Sequence, residues 1–247
     1  MTLIYGKNSV EAYLEYAPNE LDYIILQEGL QKKTEEYFVQ LAKQAHLEIR
    51  RATRRQIEQQ VGHQAVHQGI VAQAKPFQYR TLEQALQLAR GKMPCFILLD
   101  QLQDPRNLGA ILRTVDCCGG IDGVIITKHH SAEVTASVIK TSTGAALNIP
   151  IIQVTNARAA IQEMKKHDIW VCGLDMTGAT HYRKQRYDMP LCFVIGGEDS
   201  GVRPIIKKEM DFNVFIPMQS QTVTSLNVSV ATSLLLYEVA FQRATLD

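Results

Sequence analysis

The chain has 247 residues, 46% hydrophobic and 21% charged, a composition that supports a sizeable core and excludes a disordered chain. Its formal net charge of +1 excludes a uniformly basic domain, so any contact with nucleic acid must come from local patches. The first residues turn polar too early for a secretory signal, and no apolar run reaches the roughly 18 residues that span a bilayer, so we expect a cytoplasmic protein without a membrane partner.

The first part of the chain alternates helix and strand signals and predicts a small α/β module over residues 1–75. A capping box at Asn8 and Glu11 predicts a helix through Tyr16, apolar spacing predicts a second over 34–45, and Thr53 with Gln56 caps a third. Apolar, β-branched runs predict strands at 21–27, 46–50 and 69–74.

Residues 76–93 are predicted to form a linker and a connecting helix, because Pro76 interrupts regular structure and Thr81 with Gln84 makes another capping box. From residue 94 onwards, apolar runs without alternation are separated by helical segments. This pattern indicates a parallel sheet that is covered on both faces. The predicted strands are 95–99, 124–127, 151–154, 170–174, 191–195 and 214–217.

The final predicted helix runs from about Leu226 to Arg243 and carries an apolar stripe, which is either core or a dimer surface. Five cysteines form no CxxC pair and are odd in number, and three of them lie in the predicted strands. We therefore expect free, buried thiols in a reducing compartment rather than a metal site or disulfides.

Ligands of an open parallel sheet collect beyond the carboxyl ends of its strands, and three such ends carry unusual sequences here. The first is QLQDPRNLGAILRT, in which a helix begins near Asn107 and Arg113 follows nearly two turns later. The two side chains do not share one helix face, although Arg113 could project from the same rim towards a phosphate. A capping asparagine and an unrelated surface arginine are the simpler explanation of this segment.

The second segment, FVIGGEDSGVRP, has Gly196 and Gly197 at a strand end, where glycine lets backbone approach a ligand closely. Glu198 beside them would repel a phosphate, and the chain contains neither GxGxxG nor GxxxxGK[ST]. In the third segment, FIPM followed by SLNVSVA, Ser225 is predicted to cap the final helix. Asn227 is a poor helix former in the first turn, free to point out of the helix end.

A basic patch, RRATRR, contains Arg50, Arg51, Arg54 and Arg55. It favours contacts with RNA phosphates, but a solvated helix face would explain it equally well.

The stretches LDQLQDPRNLGAILRT, FVIGGEDSGV and FIPM…SLNVSVA resemble, in the same order, the motifs of the SpoU (TrmH-type) RNA ribose 2′-O-methyltransferases. The stretch AVHQGI at 65–70 resembles the end of the family's substrate-binding module, so the likeness covers essentially the whole chain. The subgroup it resembles is the RlmB type, which methylates a guanosine of 23S rRNA. The resemblance implies a knotted methyltransferase domain over 94–247, with a C-terminal trefoil knot, preceded by a small RNA-binding module.

The resemblance also implies S-adenosyl-L-methionine as cofactor, no metal, large-subunit ribosomal RNA as partner, and a homodimer formed by the final helix and the helix at 107–118. It assigns the catalytic set to Asn107, Arg113, Glu198 and Asn227. It assigns the cofactor pocket to eight residues: Gly173, Leu174, Gly196, Gly197, Ile216, Met218, Ser225 and Leu226.

The family proposal makes Arg113 the base, which suits an arginine poorly because its guanidinium retains its proton. We favour Arg113 as the group that binds the substrate phosphate and stabilises the developing alkoxide. Asn107 and Glu198 would orient Arg113 or the ribose, and Asn227 would act near the point of transfer.

Two other functions remain open. A non-catalytic RNA-binding or ribosome-assembly protein would keep the basic patch and lose the polar set. A nicotinamide-dependent oxidoreductase would need a glycine fingerprint that the chain lacks.

Overall fold

The computed structural model describes residues 2–89, 93–176, 179–197, 201–220, 222 and 225–244. They divide into two compact units, Met1–Gln78 with Val134–Leu147, and Tyr79–Glu133 with Asn148–Asp247. None of the helices in these residues has the length and apolar character that a bilayer crossing requires.

Strands and helices alternate along both units, with short 3₁₀ helices at Pro18–Glu20 and Ala145–Leu147. In chain order the elements are β1 (Thr2–Tyr5), α1 (Lys7–Tyr16), β2 (Leu21–Gln27), α2 (Lys32–Gln44), β3 (Glu48–Ala52), α3 (Arg54–Val61), β4 (Ile70–Ala74), α4 (Leu82–Leu88), β5 (Cys95–Asp100), α5 (Pro105–Cys118), β6 (Gly123–Thr127), α6 (Ala136–Thr141), β7 (Ile151–Val154), α7 (Ala157–Lys165), β8 (Trp170–Leu174), β9 (Thr180–His181), β10 (Leu191–Gly196), α8 (Pro204–Lys207), β11 (Phe212–Phe215) and α9 (Val228–Ala244).

The first unit is built on a four-stranded sheet in the order β1-β4-β2-β3. Strand β4 is antiparallel to both β1 and β2, whereas β2 and β3 are parallel. Ile25, Ala52, Ile57 and Val71 form a buried cluster that fixes α3 against the sheet. Helix α6, which follows β6 in the chain, also belongs to this unit and packs on α1. The prediction of a small N-terminal α/β module is therefore confirmed.

Some local predictions for this unit are wrong in detail. Asn8 does not cap the first helix, because α1 begins at Lys7 and its N-cap is Gly6, with a φ of 89° and no side-chain cap. The second predicted strand, at 46–50, is displaced to β3, because His46 adopts a left-handed φ of 54° after α2 and turns the chain. Strand β1 was not predicted from the sequence at all.

The two remaining capping boxes are confirmed. The hydroxyl of Thr53 accepts a hydrogen bond from the Gln56 backbone while the Gln56 side chain accepts one from the Thr53 backbone. Thr81 and Gln84 repeat this arrangement at the start of α4. Each of these two boxes satisfies backbone donors that the helix itself leaves without partners, and each marks the start of its helix.

The second unit contains a seven-stranded sheet in the order β7-β6-β5-β10-β8-β11-β9, and all its strand pairs are parallel. Strands β5 and β6 are buried over their full length, so both faces of the sheet are covered, as predicted. Helices α5 and α9 pack together, and the hydroxyls of Thr114 and Ser233 lie 2.9 Å apart between them.

All five cysteines are free. Cys95, Cys172 and Cys192 are buried in strands as expected, and burial raises the pKa of Cys95 to about 12. Cys117 is exposed on α5, so the expectation of burial is wrong there. The spacing of α5 turns this residue away from the buried face of the helix.

Strand β10 lies between β5 and β8, and β8 pairs with β11. Because these strands are parallel, the segments that follow them emerge at one edge of the sheet. The three motifs singled out in the sequence follow β5, β10 and β11, and this order therefore brings them to the same edge.

Candidate active site

A cavity of about 450 Å³ opens at the carboxyl edge of β8 and β10. Seven of the eight residues predicted to hold the cofactor line it: Leu174, Gly196, Gly197, Ile216, Met218, Ser225 and Leu226. Three segments that are distant in the sequence thus contribute to one pocket. Its volume lies in the range of ordinary small-molecule sites.

The eighth predicted residue, Gly173, does not line this cavity. It is buried in β8, where an added Cβ would collide with the sulfur of Met210 and would come within 2.5 Å of the Asn213 Oδ1. Gly173 therefore makes room for the packing of neighbouring side chains, which the sequence alone does not distinguish from contact with a ligand.

Glycines let the backbone fold back on itself beside the cavity. A Cβ on Gly196 would collide with the backbone of Gly201 and Val202, and a Cβ on Gly197 would lie 2.6 Å from the Gln101 carbonyl oxygen. The Gly201 amide donates a hydrogen bond to the Gly197 carbonyl at 3.1 Å. This close approach makes Gly201 and Val202 part of the cavity wall, which the sequence reasoning missed.

An ion pair between the buried Asp100 and the partly exposed Arg203 holds the same segment in place. Asp100, at the end of β5, has 0% of its surface exposed and accepts the Arg203 backbone amide on Oδ2 at 3.0 Å. The Arg203 guanidinium donates to Oδ1 of this carboxylate through Nε at 2.9 Å and through Nη2 at 2.6 Å. Backbone and side chain of Arg203 are therefore both fixed by one carboxylate, directly after the residues that wall the cavity.

Two members of the predicted catalytic set are in direct contact. The Asn227 Nδ2 donates a hydrogen bond of 3.0 Å to the Asn107 Oδ1. Asn107 is the third residue of α5, whose N-cap is Asp104, so the capping explanation of Asn107 is wrong. The contact joins the first and third motifs across 120 residues of sequence.

Asn227, rather than Ser225, caps the final helix. The Asn227 Oδ1 accepts hydrogen bonds from the Ser229 amide at 2.9 Å and from the Val230 amide at 3.4 Å. The predicted cap at Ser225 is therefore wrong, because the helix begins at Val228. One amide side chain thus closes the helix with its oxygen and reaches Asn107 with its nitrogen, and Asn227 also lines the cavity.

Among the described residues, the predicted catalytic residue Arg113 is not joined to this pair. Arg113 is exposed on α5, and within the described residues no hydrogen bond or ion pair connects it to either asparagine. Glu198 lies outside the described residues.

An acidic group of the cavity was missed by sequence reasoning. The carboxylate of Asp175 follows β8 and is paired with the Lys207 Nζ. The sequence did offer a signal for Asp175, because this residue directly follows Gly173 and Leu174 at the end of a predicted strand. Across the part of the chain that the structure describes, no cluster of three or more His, Cys, Asp or Glu side chains could hold a metal.

Most arginines of the basic patch are engaged by carboxylates. Arg50 pairs with Glu48 and lies 3.5 Å from the centre of the Tyr23 ring, and the pair lowers the pKa of Glu48. Arg51 pairs with Glu35, at 2.5 Å, and Arg54 with Glu58. Arg55 is exposed and has no ion-pair partner among the described residues. The patch thus carries less free positive charge than its sequence indicates.

Comparisons with known proteins agree with this architecture. Residues 94–237 match the model of the SpoU rRNA Methylase family, and residues 3–80 match a model described as RNA 2′-O ribose methyltransferase substrate binding. A protein of Staphylococcus haemolyticus described as a TrmH family tRNA/rRNA methyltransferase is 38% identical over 243 residues, 98% of this chain and 96% of that protein. A Bacillus subtilis protein with the same description is 38% identical over 242 residues, 97% of this chain and 95% of its own length.

A solved structure has the same fold over nearly the whole chain. The SpoU methyltransferase AviRb from Streptomyces viridochromogenes, crystallised in complex with the cofactor AdoMet, matches with a TM-score of 0.71 and 21% identity. The match covers 98% of this chain and 90% of AviRb. The chain belongs to the SpoU rRNA methylase family, whose members are RNA methyltransferases that use S-adenosylmethionine as methyl donor.

Proposed function

We propose that the chain transfers a methyl group from S-adenosylmethionine to a ribose 2′-hydroxyl of RNA, with a guanosine of 23S rRNA as the target. The observation that carries this proposal is that the second and third motifs line one cavity, and that the first motif is joined to them by the Asn107–Asn227 hydrogen bond. The match of residues 3–80 to a substrate-binding model of RNA 2′-O ribose methyltransferases supports the ribose as acceptor.

The residues of the cavity fit this cofactor. Ile216, Met218 and Leu226 supply apolar surface for an adenine, and the backbone at Gly196 and Gly197 is open to close approach because these residues have no Cβ. When bound, the cofactor supplies a methyl group on a positively charged sulfur, which is already activated for transfer. The chain therefore has to align donor and acceptor and exclude water.

We assign three tasks to the polar residues. The amides of Asn107 and Asn227, held by their mutual hydrogen bond, orient the ribose at the cavity rim. Arg113 binds the phosphate beside that ribose and stabilises negative charge on the acceptor oxygen as the hydroxyl proton is released to solvent. Glu198 is assigned to the orientation of Arg113 or the ribose.

The N-terminal unit is proposed to bind the RNA, and its patch Arg50, Arg51, Arg54 and Arg55 to contact phosphates, with Arg55 as the arginine available without breaking an ion pair. Ribosomal RNA as substrate implies activity in the cytoplasm. The C-terminal segment is proposed to form the trefoil knot of the family.

A homodimer is proposed through α9. Four large apolar side chains at helical spacing are exposed on it: Val230, Leu234, Tyr237 and Phe241, with 68% of Phe241 exposed. A contiguous apolar stripe of this kind marks an interaction surface more often than open solvent contact.

Methyl transfer from labelled S-adenosylmethionine to unmodified 23S rRNA tests the function, with Arg113→Ala as the diagnostic variant. We expect the rate constant to fall by about two orders of magnitude or more, because one preorganised charge at the developing oxyanion is removed. The KM for the cofactor should stay near that of the wild type, since Arg113 is not among the residues of the cavity.

Arg186→Ala is the matched control, because Arg186 is also an exposed arginine of the second unit and is paired with Asp188. It should retain wild-type activity. A methylated ribose blocks alkaline cleavage of the RNA at the next phosphodiester, so the position of the methyl group is read directly. Methylation on a base would refute the ribose as acceptor, and no transfer by the wild type would refute the enzymatic function.

A further inference from the structure

A second cavity, of about 350 Å³, lies at the same edge of the sheet and has no task in the function proposed above. It is formed where β5, β6 and β7 end, and its walls include Gln101, Thr127, His129, His130, Arg158 and Arg203. Its volume is sufficient for a small polar ligand or for part of a nucleotide.

The charge of this cavity is one-sided. Its ionisable lining side chains are two arginines and two histidines, and the described residues contribute no carboxylate to the lining. Two nearby carboxylates pair with these arginines without lining the cavity. Glu209 accepts a hydrogen bond from the Arg158 Nε at 2.5 Å, and Asp100 accepts hydrogen bonds from Arg203. Half of the Arg158 side chain and 34% of that of Arg203 remain exposed, so both can still contact an anion.

The turn that carries the two histidines is fixed by hydrogen bonds. The Thr127 hydroxyl donates to the His129 carbonyl at 2.8 Å and lies 2.6 Å from the Ser131 hydroxyl. His130 has a φ of 60°, a left-handed conformation that closes the turn. Within the described part of the chain, neither imidazole has a hydrogen-bond partner of its own, so both are available to a ligand.

Neighbouring residues of the same backbone segments line the two cavities. Gly201 and Val202 line the first cavity, and the next residue, Arg203, lines the second. Likewise, Gly197 lines the first cavity and its amide donates to the Asp100 carbonyl at 3.0 Å, directly before Gln101 of the second. A ligand in the second cavity would therefore contact the same backbone segments that line the proposed cofactor cavity.

We infer that the second cavity binds the sugar–phosphate backbone of the RNA nucleotide adjacent to the one that is methylated. This inference rests on the proposed function. Arginine and histidine donors without a lining carboxylate suit a phosphodiester, and the Gln101 side chain offers a partner for a ribose hydroxyl. The described lining contains no Phe, Tyr or Trp on which a base would stack, which favours the backbone over the base as the bound part.

The test uses the full chain, an unmodified transcript of 23S rRNA as probe, and the combined variant Arg158→Gln, His129→Ala and His130→Asn. Asparagine is chosen at 130 because it tolerates the left-handed backbone there. Arg203 is left intact because it anchors the wall of the first cavity. RNA affinity is measured by filter binding over a range of salt concentrations, and cofactor affinity by calorimetry.

The matched control removes a cation and an imidazole from the opposite end of the same helix. Lys166 and His167 follow the carboxyl end of α7, whereas Arg158 is near its amino end, so Lys166→Gln with His167→Ala changes similar groups about 12 Å away.

We expect the cavity variant to bind the transcript at least tenfold more weakly and to lose roughly 0.7 from the salt slope for each phosphate contact removed. Its cofactor affinity and the RNA affinity of the control variant should match those of the wild type. Unchanged RNA affinity in the cavity variant would overturn the inference, and so would an equal loss in the control or a parallel loss of cofactor affinity.

The outcomes also separate this inference from the proposed function. If the wild type methylates the transcript and the cavity variant binds RNA normally, only the inference fails. If the wild type binds the transcript without methylating it and the variant loses this binding, only the proposed function fails. If the wild type binds no RNA, both fail.

Discussion

At the scale of single residues, the site is held together by side chains that each form hydrogen bonds to two different groups. Asn227 closes α9 with its oxygen and bonds Asn107 with its nitrogen, and Asp100 holds both the backbone and the guanidinium of Arg203. The sequence indicates that Asn227 is unusual in a first helical turn, but not that it reaches another motif. That contact depends on the packing of α5 against α9, which no local pattern encodes.

The variant Asp100→Asn tests the anchor of the cavity wall. It removes the charge that pairs with Arg203 in a fully buried position, so we expect a loss of about 3 kcal/mol in the free energy of unfolding. Cofactor affinity should fall at least tenfold, since Gly201 and Val202 lose their fixed position. Urea unfolding and calorimetry measure the two effects.

Asp122→Asn is the control at the opposite end of β5. The Asp122 Oδ2 accepts a hydrogen bond from the Cys95 amide at 2.8 Å, a task that an asparagine oxygen can also perform. We expect near-normal stability and cofactor affinity. If Asp100→Asn behaved like this control, the ion pair would have no part in shaping the cavity.

At the scale of elements, local sequence patterns predict that a helix or strand is present better than they predict how the helices and strands are arranged. The apolar runs predicted six of the seven strands of the large sheet, but not β9, and the capping boxes at Thr53 and Thr81 predicted helix starts, because both signals are local. The predicted strand at 214–217 is displaced to β11. Strand β1 and the insertion of β10 between β5 and β8 were not predictable, since they depend on pairing between distant segments. Glycine was ambiguous for the same reason, as Gly173 supports packing and Gly196 shapes the cavity.

The variant Gly196→Ala tests whether the end of β10 shapes the cofactor cavity. The added Cβ has no room beside the backbone of Gly201 and Val202, which would have to move. We expect the dissociation constant for S-adenosylmethionine to rise at least tenfold, as measured by calorimetry, while circular dichroism still reports a folded chain.

Gly123→Ala on β6 is the matched control. Its Cβ would meet the terminal methyl of Ile152 at 2.6 Å and the Pro150 carbonyl oxygen at 3.1 Å, so both would have to shift slightly, and the residue is not part of the cavity. We expect a stability loss of about 1 kcal/mol from the adjustment and an unchanged dissociation constant. Equal cofactor affinities of the two variants would contradict the assignment of Gly196 to the cavity.

At the scale of the whole molecule, a single chain leaves the apolar stripe of α9 exposed. We expect Leu234→Glu with Phe241→Glu to convert a dimer into a monomer, because each change would bury a carboxylate in an apolar interface. Sedimentation equilibrium measures the mass. Leu88→Glu is the control, since Leu88 is an exposed leucine on α4 outside the stripe. A wild-type chain that sediments as a monomer would refute the proposed dimer.

The position of helix α6 in the sequence limits how the two units can be recombined between relatives. It is encoded between β6 and β7, yet it packs on α1 and belongs to the N-terminal unit. If a single crossover near residue 78 joined the N-terminal segment of a relative to the rest of this chain, α1 would come from the relative and α6 from this chain. The contact between α1 and α6 would then be formed by helices from two different proteins. A functional chimaera therefore needs a second exchanged stretch at 134–147, because two separate stretches of the gene encode the N-terminal unit.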